Sequence, residues 1–212
     1  MQIKTKTIAD AHLKLCKSVF EDGWYNYTED GEKVMEYPEP VLVIIENPLS
    51  ENMISPLCGF GKQAFEAYSD NLLNDSDNDF VYTYHDRLFK YGNNINQIKN
   101  IIQKLKQDPG TRRAQAITWY PHHDLHSKTP PCLQRIQFMI RDDALNMYVE
   151  FRSNDCLSAF NQNAYAFAQL QNYVAEQVNY KIGKYYHYIV SAHMYYERDA
   201  EEINKLKLWC YK

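Results

Sequence analysis

Two alternating segments, 135–141 and 145–152, meet across Asp142-Asp143, and this arrangement constrains the fold more than any other stretch of the chain. Alternation of apolar and polar residues is the period of a half-buried strand, so the pair reads as two strands with a turn between them. Behind them, Leu157, Phe160, Ala164, Phe167, Val174 and Val178 mark one apolar face of a long buried helix. The spacing also predicts helices over 8–20, 63–73 and 95–105, the last stopped by Asp108-Pro109-Gly110. Val41-Leu42-Val43-Ile44-Ile45 reads as a short buried strand, 114–119 and 186–195 as further strands, and the tail from Arg198 as helix. Residues 74–79 read as a polar loop. Strands and helices mix without a regular βαβ rhythm, which places the chain in the α+β class.

At 212 residues the chain suits one domain over 1–212, large enough for an ordinary core. A net charge of −4 gives no electrostatic case for nucleic acid or a membrane surface, so clusters of arginine are local devices. The start has no apolar leader-like run and no stretch reaches transmembrane length, which points to a cytoplasmic protein. Five cysteines are scattered and odd in number, with no Cys-x-x-Cys pair; reduced thiols are expected, and neither a metal site nor a disulfide framework.

One of those thiols stands apart. Cys132 follows Pro130-Pro131 at the mouth of the first alternating segment, with Arg112-Arg113 before it and Arg152-Ser153-Asn154-Asp155 after it. A thiolate flanked by guanidinium groups is a nucleophile beside an anion site, and this implies chemistry on a phosphorylated substrate. Arg152 ends a strand whose Leu145, Met147, Val149 and Phe151 face the other way, and a charge there needs a partner: an oxyanion ligand or an internal carboxylate. Ser153 and Asp155 are expected in the turn into the long helix, where Asp155 reads as an N-cap, a functional carboxylate, or both.

Asn163 lies inside the apolar helix, where an amide needs hydrogen-bond partners. Two readings stand: it reads the O4 and N3–H edge of a uracil, or it ties the helix to a neighbouring backbone. Ser191, His193 and Tyr195 share one face of the last strand and would grip hydroxyl groups, although a single His is more often a satisfied core residue. His122, His123 and His126 read as exposed loop histidines rather than metal ligands.

Taken together, Arg112-Arg113, Trp119, Pro131-Cys132, Gln137-Phe138, Arg152-Ser153-x-Asp155, Asn163 and His193-x-Tyr195 resemble the thymidylate synthase family in order and spacing, between Gln97 and Tyr195. The wording around Arg112, Cys132 and Arg152 is similar to its short archaeal-type branch. The resemblance implies a large mixed β-sheet packed against helices, with one long buried central helix. It implies a methyltransferase in which Cys132 adds to C6 of dUMP and a methylene-loaded reduced pterin, of tetrahydrofolate or tetrahydromethanopterin type, donates the one-carbon unit to give dTMP. In that scheme Arg152 and Ser153 hold the phosphate, joined by Arg112 and Arg113 from the second subunit of a homodimer. Gln137 helps set the sheet and the nucleotide pocket, Asn163 reads the uracil, His193 and Tyr195 hold the 3′-hydroxyl, and Asp155 supports the pterin and the network around C4. No metal is implied.

The chain also departs from the family pattern. Ala159 replaces a usual Gly, Asn161-Gln162 replace Pro-Phe, and Leu133 follows the cysteine where His is common. No segment matches the helix carrying the family's proton-handling Glu; Glu46 and Glu66 are the candidates, with Tyr82, Tyr84, His85 or an ordered water to share the task. The tryptophans that line the pterin site and the closing C-terminal flap have no clear counterpart. A wetter pocket of that kind would also suit a dUMP hydroxymethylase, and a catalytically silent dUMP-binding protein is the alternative from another class.

Overall fold

The structure, a computed structural model, describes residues 1–75 and 83–210. It begins with β1 (Gln2–Thr5), α1 (Ile8–Asp22), β2 (Trp24–Tyr27), β3 (Lys33–Glu36) and β4 (Val41–Ile45). Four helices follow: α2 (Lys62–Asn74), α3 (Tyr84–Phe89), α4 (Tyr91–Asn94) and α5 (Gln97–Gln107). The remainder is β5 (Gln115–Ile117), α6 (Pro121–Asp124), β6 (Leu133–Arg141), β7 (Ala144–Asp155), α7 (Phe160–Val178), β8 (Lys181–Tyr195) and α8 (Ala200–Cys210). Ser76 to Asp79 of the expected polar loop, and Tyr82, lie outside the described residues.

The helices start where capping chemistry is available. Thr7 accepts from the Asp10 N–H (3.1 Å) at the head of α1, and Asn96 accepts from the Lys99 N–H (2.8 Å) at the head of α5. Ala11, Leu15 and Val19 then bury one stripe of α1. The β6–β7 connection is as tight as a hairpin can be. Asp142 and Asp143 have φ of 51° and 56°, the left-handed pair a two-residue turn needs, and short acidic side chains tolerate it.

Six strands run in the order β1-β4-β8-β7-β6-β5, with the β2–β3 ribbon joined to the end of β8. The sheet is mixed: β1 lies parallel to β4 and β7 parallel to β8, while β8 is antiparallel to β4 and β6 to its neighbours. This is the α+β class with a large mixed sheet, and α7 is its buried central helix. Leu145, Met147, Val149 and Phe151 of β7 pack on the helical side, and Gln171 of α7 donates to the Leu145 carbonyl (2.8 Å). His12 and His187 are buried on either side of Phe160; burial drives them down to about 4 and about 3, so both are neutral at pH 7.

The strands of this core are longer than their periodicity indicates. β8 begins at Lys181 rather than 186, and β7 continues through Asp155. Ser153 and Asp155 are therefore strand residues, in register with Ser191 and His193, and not part of the turn into α7. Main-chain pairing with β8 outweighs the turn preference of Ser-Asn-Asp. The turn is 156–159, and Ala159 is the N-cap of α7.

The opposite face of the sheet is open. Ile117, Tyr188 and Val190 are 42%, 38% and 47% exposed there, beside the stacked rings of Tyr148 and Tyr186 (4.6 Å). Gln137 lies on this same face.

Candidate active site

The ends of β3, β7 and β8, the inner faces of α2 and α7, and the loop before β6 enclose a cavity of ≈ 970 Å³. Cys132, Arg152, Ser153, Asp155, Asn163, His193 and Tyr195 all line it, although they come from four separate stretches of chain. Arg112, Arg113 and Gln137 do not line it.

Pro130 and Pro131 fix the backbone before Cys132, and their carbonyls accept from neighbouring side chains, Pro131 from Gln134 Nε2 (2.8 Å) among them. Arg152 takes both: Nε donates to the Pro131 carbonyl (3.1 Å) and Nη2 to the Pro130 carbonyl (2.8 Å). Its backbone N–H also donates to the Cys132 carbonyl (2.9 Å). Among the described residues, the internal partners of this guanidinium are thus main-chain carbonyls, and no carboxylate touches it. The same clamp sets Nη2 3.9 Å from the Cys132 sulfur. On the far side, the Leu133 N–H donates to the Tyr84 hydroxyl (3.2 Å), so the cysteine is anchored from both flanks.

The thiol itself departs from expectation. Burial raises the Cys132 pKa, Arg152 lowers it and Asp155 raises it; the sum is upward from the ordinary value. Without substrate the sulfur is therefore mainly protonated at neutral pH, because desolvation outweighs the single nearby cation.

Next along the floor, Ser153 Oγ is 3.4 Å from His193 Nδ1, and the His193 ring stands edge-on to Tyr195 with centroids 5.2 Å apart. Ser191, His193 and Tyr195 line the cavity together, as their shared strand face implies. Asp155 Oδ1 accepts from the Leu157 and Ser158 N–H groups (3.1 Å each), so it caps the 156–159 turn rather than α7. Its other oxygen pairs with Arg198, whose guanidinium also packs on the Tyr195 ring (3.9 Å) and bonds Asp199 (2.8 Å).

Asn163, only 6% exposed, accepts the Tyr68 hydroxyl proton at Oδ1 (2.8 Å). Two residues earlier, Asn161 accepts from the Ser55 N–H and donates to the Met53 carbonyl (2.8 Å each). The backbone-tying asparagine is thus Asn161, which explains a polar residue where the family pattern has proline; Asn163 faces the cavity.

Neither proposed glutamate reaches the cavity. Glu46 pairs with Lys4 (2.9 Å) and Glu66 with Lys62 (3.3 Å) on the surface. His85 is turned away as well, with Nδ1 3.0 Å from the Leu72 carbonyl, whereas Tyr84 does line the cavity. The carboxylates that do so include Glu36, which accepts from Asn26 Nδ2 (3.0 Å) and from Ser191 Oγ. Sequence reasoning missed Glu36, Tyr68 and Arg198. Each acts only across elements, and none carries a local motif; the register of β3 against β8, Glu36 opposite His193, is what places the first.

Arg112 and Arg113 are exposed at the β5 edge, and neither guanidinium has a partner among the described residues. Gln137 Nε2 donates to the Arg112 carbonyl (2.9 Å), bracing that loop from the open sheet face. Gln137 therefore supports the sheet edge and does not contribute to the wall of this cavity. His122, His123 and His126 are exposed in and after α6.

The fold and the cavity define an α+β protein that sets a thiol, a clamped guanidinium and a buried amide around one deep cleft. A model of the thymidylate synthase family matches residues 50–207, and the chain belongs to that family. A Methanocaldococcus jannaschii protein named "Putative thymidylate synthase" is 38% identical, covering 99% of this chain and 97% of its own length. Proteins of the same name from Methanococcoides burtonii and Methanothermobacter thermautotrophicus are 34% and 32% identical, each covering 96% of this chain.

Proposed function

We propose that this chain, as a single catalytic domain over 1–212, methylates dUMP to dTMP in the cytoplasm. The observation that carries the reading is the Cys132 sulfur 3.9 Å from a guanidinium that the Pro130 and Pro131 carbonyls hold in place, in a cavity also lined by Asn163. Uracil C6 is a conjugated, soft electrophile. As Cys132 loses its proton and adds there, the charge moves to C5 and O4, and C5 becomes the carbon nucleophile. A phosphate beside Arg152 and Ser153 fixes the ring over the sulfur, through charge-assisted bonds that Lys would not reproduce.

Asn163 reads the uracil edge, and His193 with Tyr195 holds the 3′-hydroxyl. Glu36 and Tyr84, which line the cavity, are the groups assigned here to the C5 proton. A reduced pterin of tetrahydrofolate or tetrahydromethanopterin type supplies the methylene group and the hydride. The residues present fit a second flat ligand: Trp119 and Tyr27 add aromatic wall, and ≈ 970 Å³ lies at the upper end of ordinary ligand sites. Asp155, held by Arg198, supports that side of the cleft. Incubation of dUMP with the two methylene-loaded carriers separately is expected to give, with the carrier the site accepts, a product in which a methyl group replaces the C5 hydrogen, a net gain of one CH2. A hydroxymethylated product would instead establish the hydroxymethylase, and dUMP bound without product the silent binder.

The open sheet face supports a homodimer, because Ile117, Tyr148, Tyr186, Tyr188 and Val190 form an apolar surface continuous with the β5 edge. Packing two such faces would carry Arg112 and Arg113, whose guanidiniums have no partner among the described residues, toward the other subunit's phosphate. Mixing inactive Arg113→Ala and Cys132→Ala variants is then expected to regain activity, up to about a quarter of wild type if subunits exchange at random. No recovery after proven exchange would place both groups on one chain.

A further inference from the structure

A nucleotide phosphate carries about two negative charges at neutral pH, and Arg152 has little left over to meet them alone. Its Nε and Nη2 are engaged by the Pro131 and Pro130 carbonyls, and Nη1 has no partner among the described residues. Lys128 is the other lysine or arginine that lines the cavity. It is exposed and yet part of the lining, so it stands at the mouth, and its ammonium group has no partner among the described residues. The backbone that carries it is well fixed. The buried Asp124 carboxylate accepts from both terminal nitrogens of Arg87 (3.0 and 2.8 Å), the Ser127 N–H donates to the Asp124 carbonyl (3.3 Å), and the Thr129 N–H donates to Ser127 Oγ (3.1 Å). Pro130, whose carbonyl takes Arg152 Nη2, follows directly. The two cations are thus joined by one short run of braced chain. The β2–β3 turn contributes the reverse sign: Glu29 and Asp30 line the cavity there and would repel a phosphate.

We infer that Lys128 is a second cation of the phosphate subsite, supplied by the same chain as Cys132 and Arg152. The inference rests on the dUMP reading of this cavity. The two groups divide the work by their chemistry. Arg152 is a planar fork locked by two carbonyls, so it fixes where the phosphate sits. Lys128 is a point charge on a flexible stem, which needs no set angle of approach and can follow the phosphate from the mouth. Repulsion from Glu29 and Asp30 favours the Lys128 side of the cleft for the same anion. The charge is present within one chain, whatever Arg112 and Arg113 add from a second subunit. One charge-assisted contact at a partly exposed site corresponds to about tenfold in affinity.

The test is equilibrium binding of dUMP and of deoxyuridine, which lacks the phosphate, to wild type, Lys128→Met and Lys128→Arg. Lys128 is exposed and unpaired among the described residues, so neither substitution should move the thermal midpoint. Lys128→Met is expected to weaken dUMP about tenfold and to leave deoxyuridine unchanged, while Lys128→Arg, which keeps the charge, stays within about threefold of wild type. Where deoxyuridine binds too weakly to measure, the 5′-methyl ester of dUMP replaces it; it keeps one negative charge, and its loss must then be smaller than that of dUMP. A dUMP affinity within twofold of wild type in Lys128→Met would overturn the inference, and so would an equal loss on both ligands or a loss as large in Lys128→Arg. Wild type that binds both ligands and gains nothing from the phosphate would overturn this inference and leave the uracil reading standing. Wild type that binds neither would remove the dUMP reading itself, and this inference with it.

Discussion

Replacing Cys132 with serine is expected to abolish dUMP-dependent loss of the uracil C5 hydrogen, by roughly 10⁴-fold or more. The substitution exchanges a polarizable sulfur for a small, hard oxygen whose proton is far harder to remove. Addition at C6 is the step that makes the C5 hydrogen acidic, so without it there is nothing to exchange. The fold should survive, because Cys132 is half-buried and the Pro-Pro turn is held by Arg152 and Tyr84 rather than by the sulfur. Binding of dUMP should change by less than about tenfold, since phosphate, uracil and sugar contacts are untouched. Tritium release from labelled dUMP reads the first quantity and equilibrium binding the second. Release that continues in the serine variant would show that another group attacks the ring. Wild-type release should also climb with pH from 7 toward 9, because the unliganded thiol is held mainly protonated and its reactive, ionised fraction grows as pH rises.

The parts of this fold that could be read from the chain are those whose cause is local. The β6–β7 pair and α7 declare themselves by period, and Asp142-Asp143 by the positive φ that a two-residue turn demands. Cys132 was legible because two prolines isolate it, and Ser191, His193 and Tyr195 because alternation puts them on one strand face. Where partners are distant, the sequence is silent. Ser153 and Asp155 have turn-forming neighbours, and only β8, some forty residues away, converts them to strand. Arg198 reads only as the start of a helical tail, yet it precedes α8 and closes on Asp155 and Tyr195. A tyrosine at helical spacing, such as Tyr68, is indistinguishable from core packing until α2 is laid against α7. The acid of the cleft illustrates the same point: Glu46 and Glu66 stand beside lysines on the surface, while Glu36 reaches the cavity because β3 pairs with β8 there.

Converting Asn163 to aspartate is expected to move the preference from dUMP toward dCMP, changing the ratio of their kcat/KM values by roughly 10³-fold. The estimate follows from two mismatched hydrogen bonds of about 2 kcal/mol each in a desolvated position. Facing uracil, a carboxylate sets oxygen against O4, and a buried, unpaired acceptor costs its full desolvation. Facing cytosine, the same oxygen accepts from the exocyclic N4–H. The N3 acceptor is then satisfied if the acid keeps its proton, which burial favours. Tyr68 remains able to donate to the other oxygen, so the group stays oriented when its chemistry changes. Steady-state rates with both nucleotides at several carrier concentrations provide the ratio. An equal loss on both, with no change in preference, would assign Asn163 to packing alone. Inversion would instead locate base selection in one amide on α7, separate from the thiol that performs the reaction, so that substrate choice and bond formation in this cleft are set by different elements and can change independently.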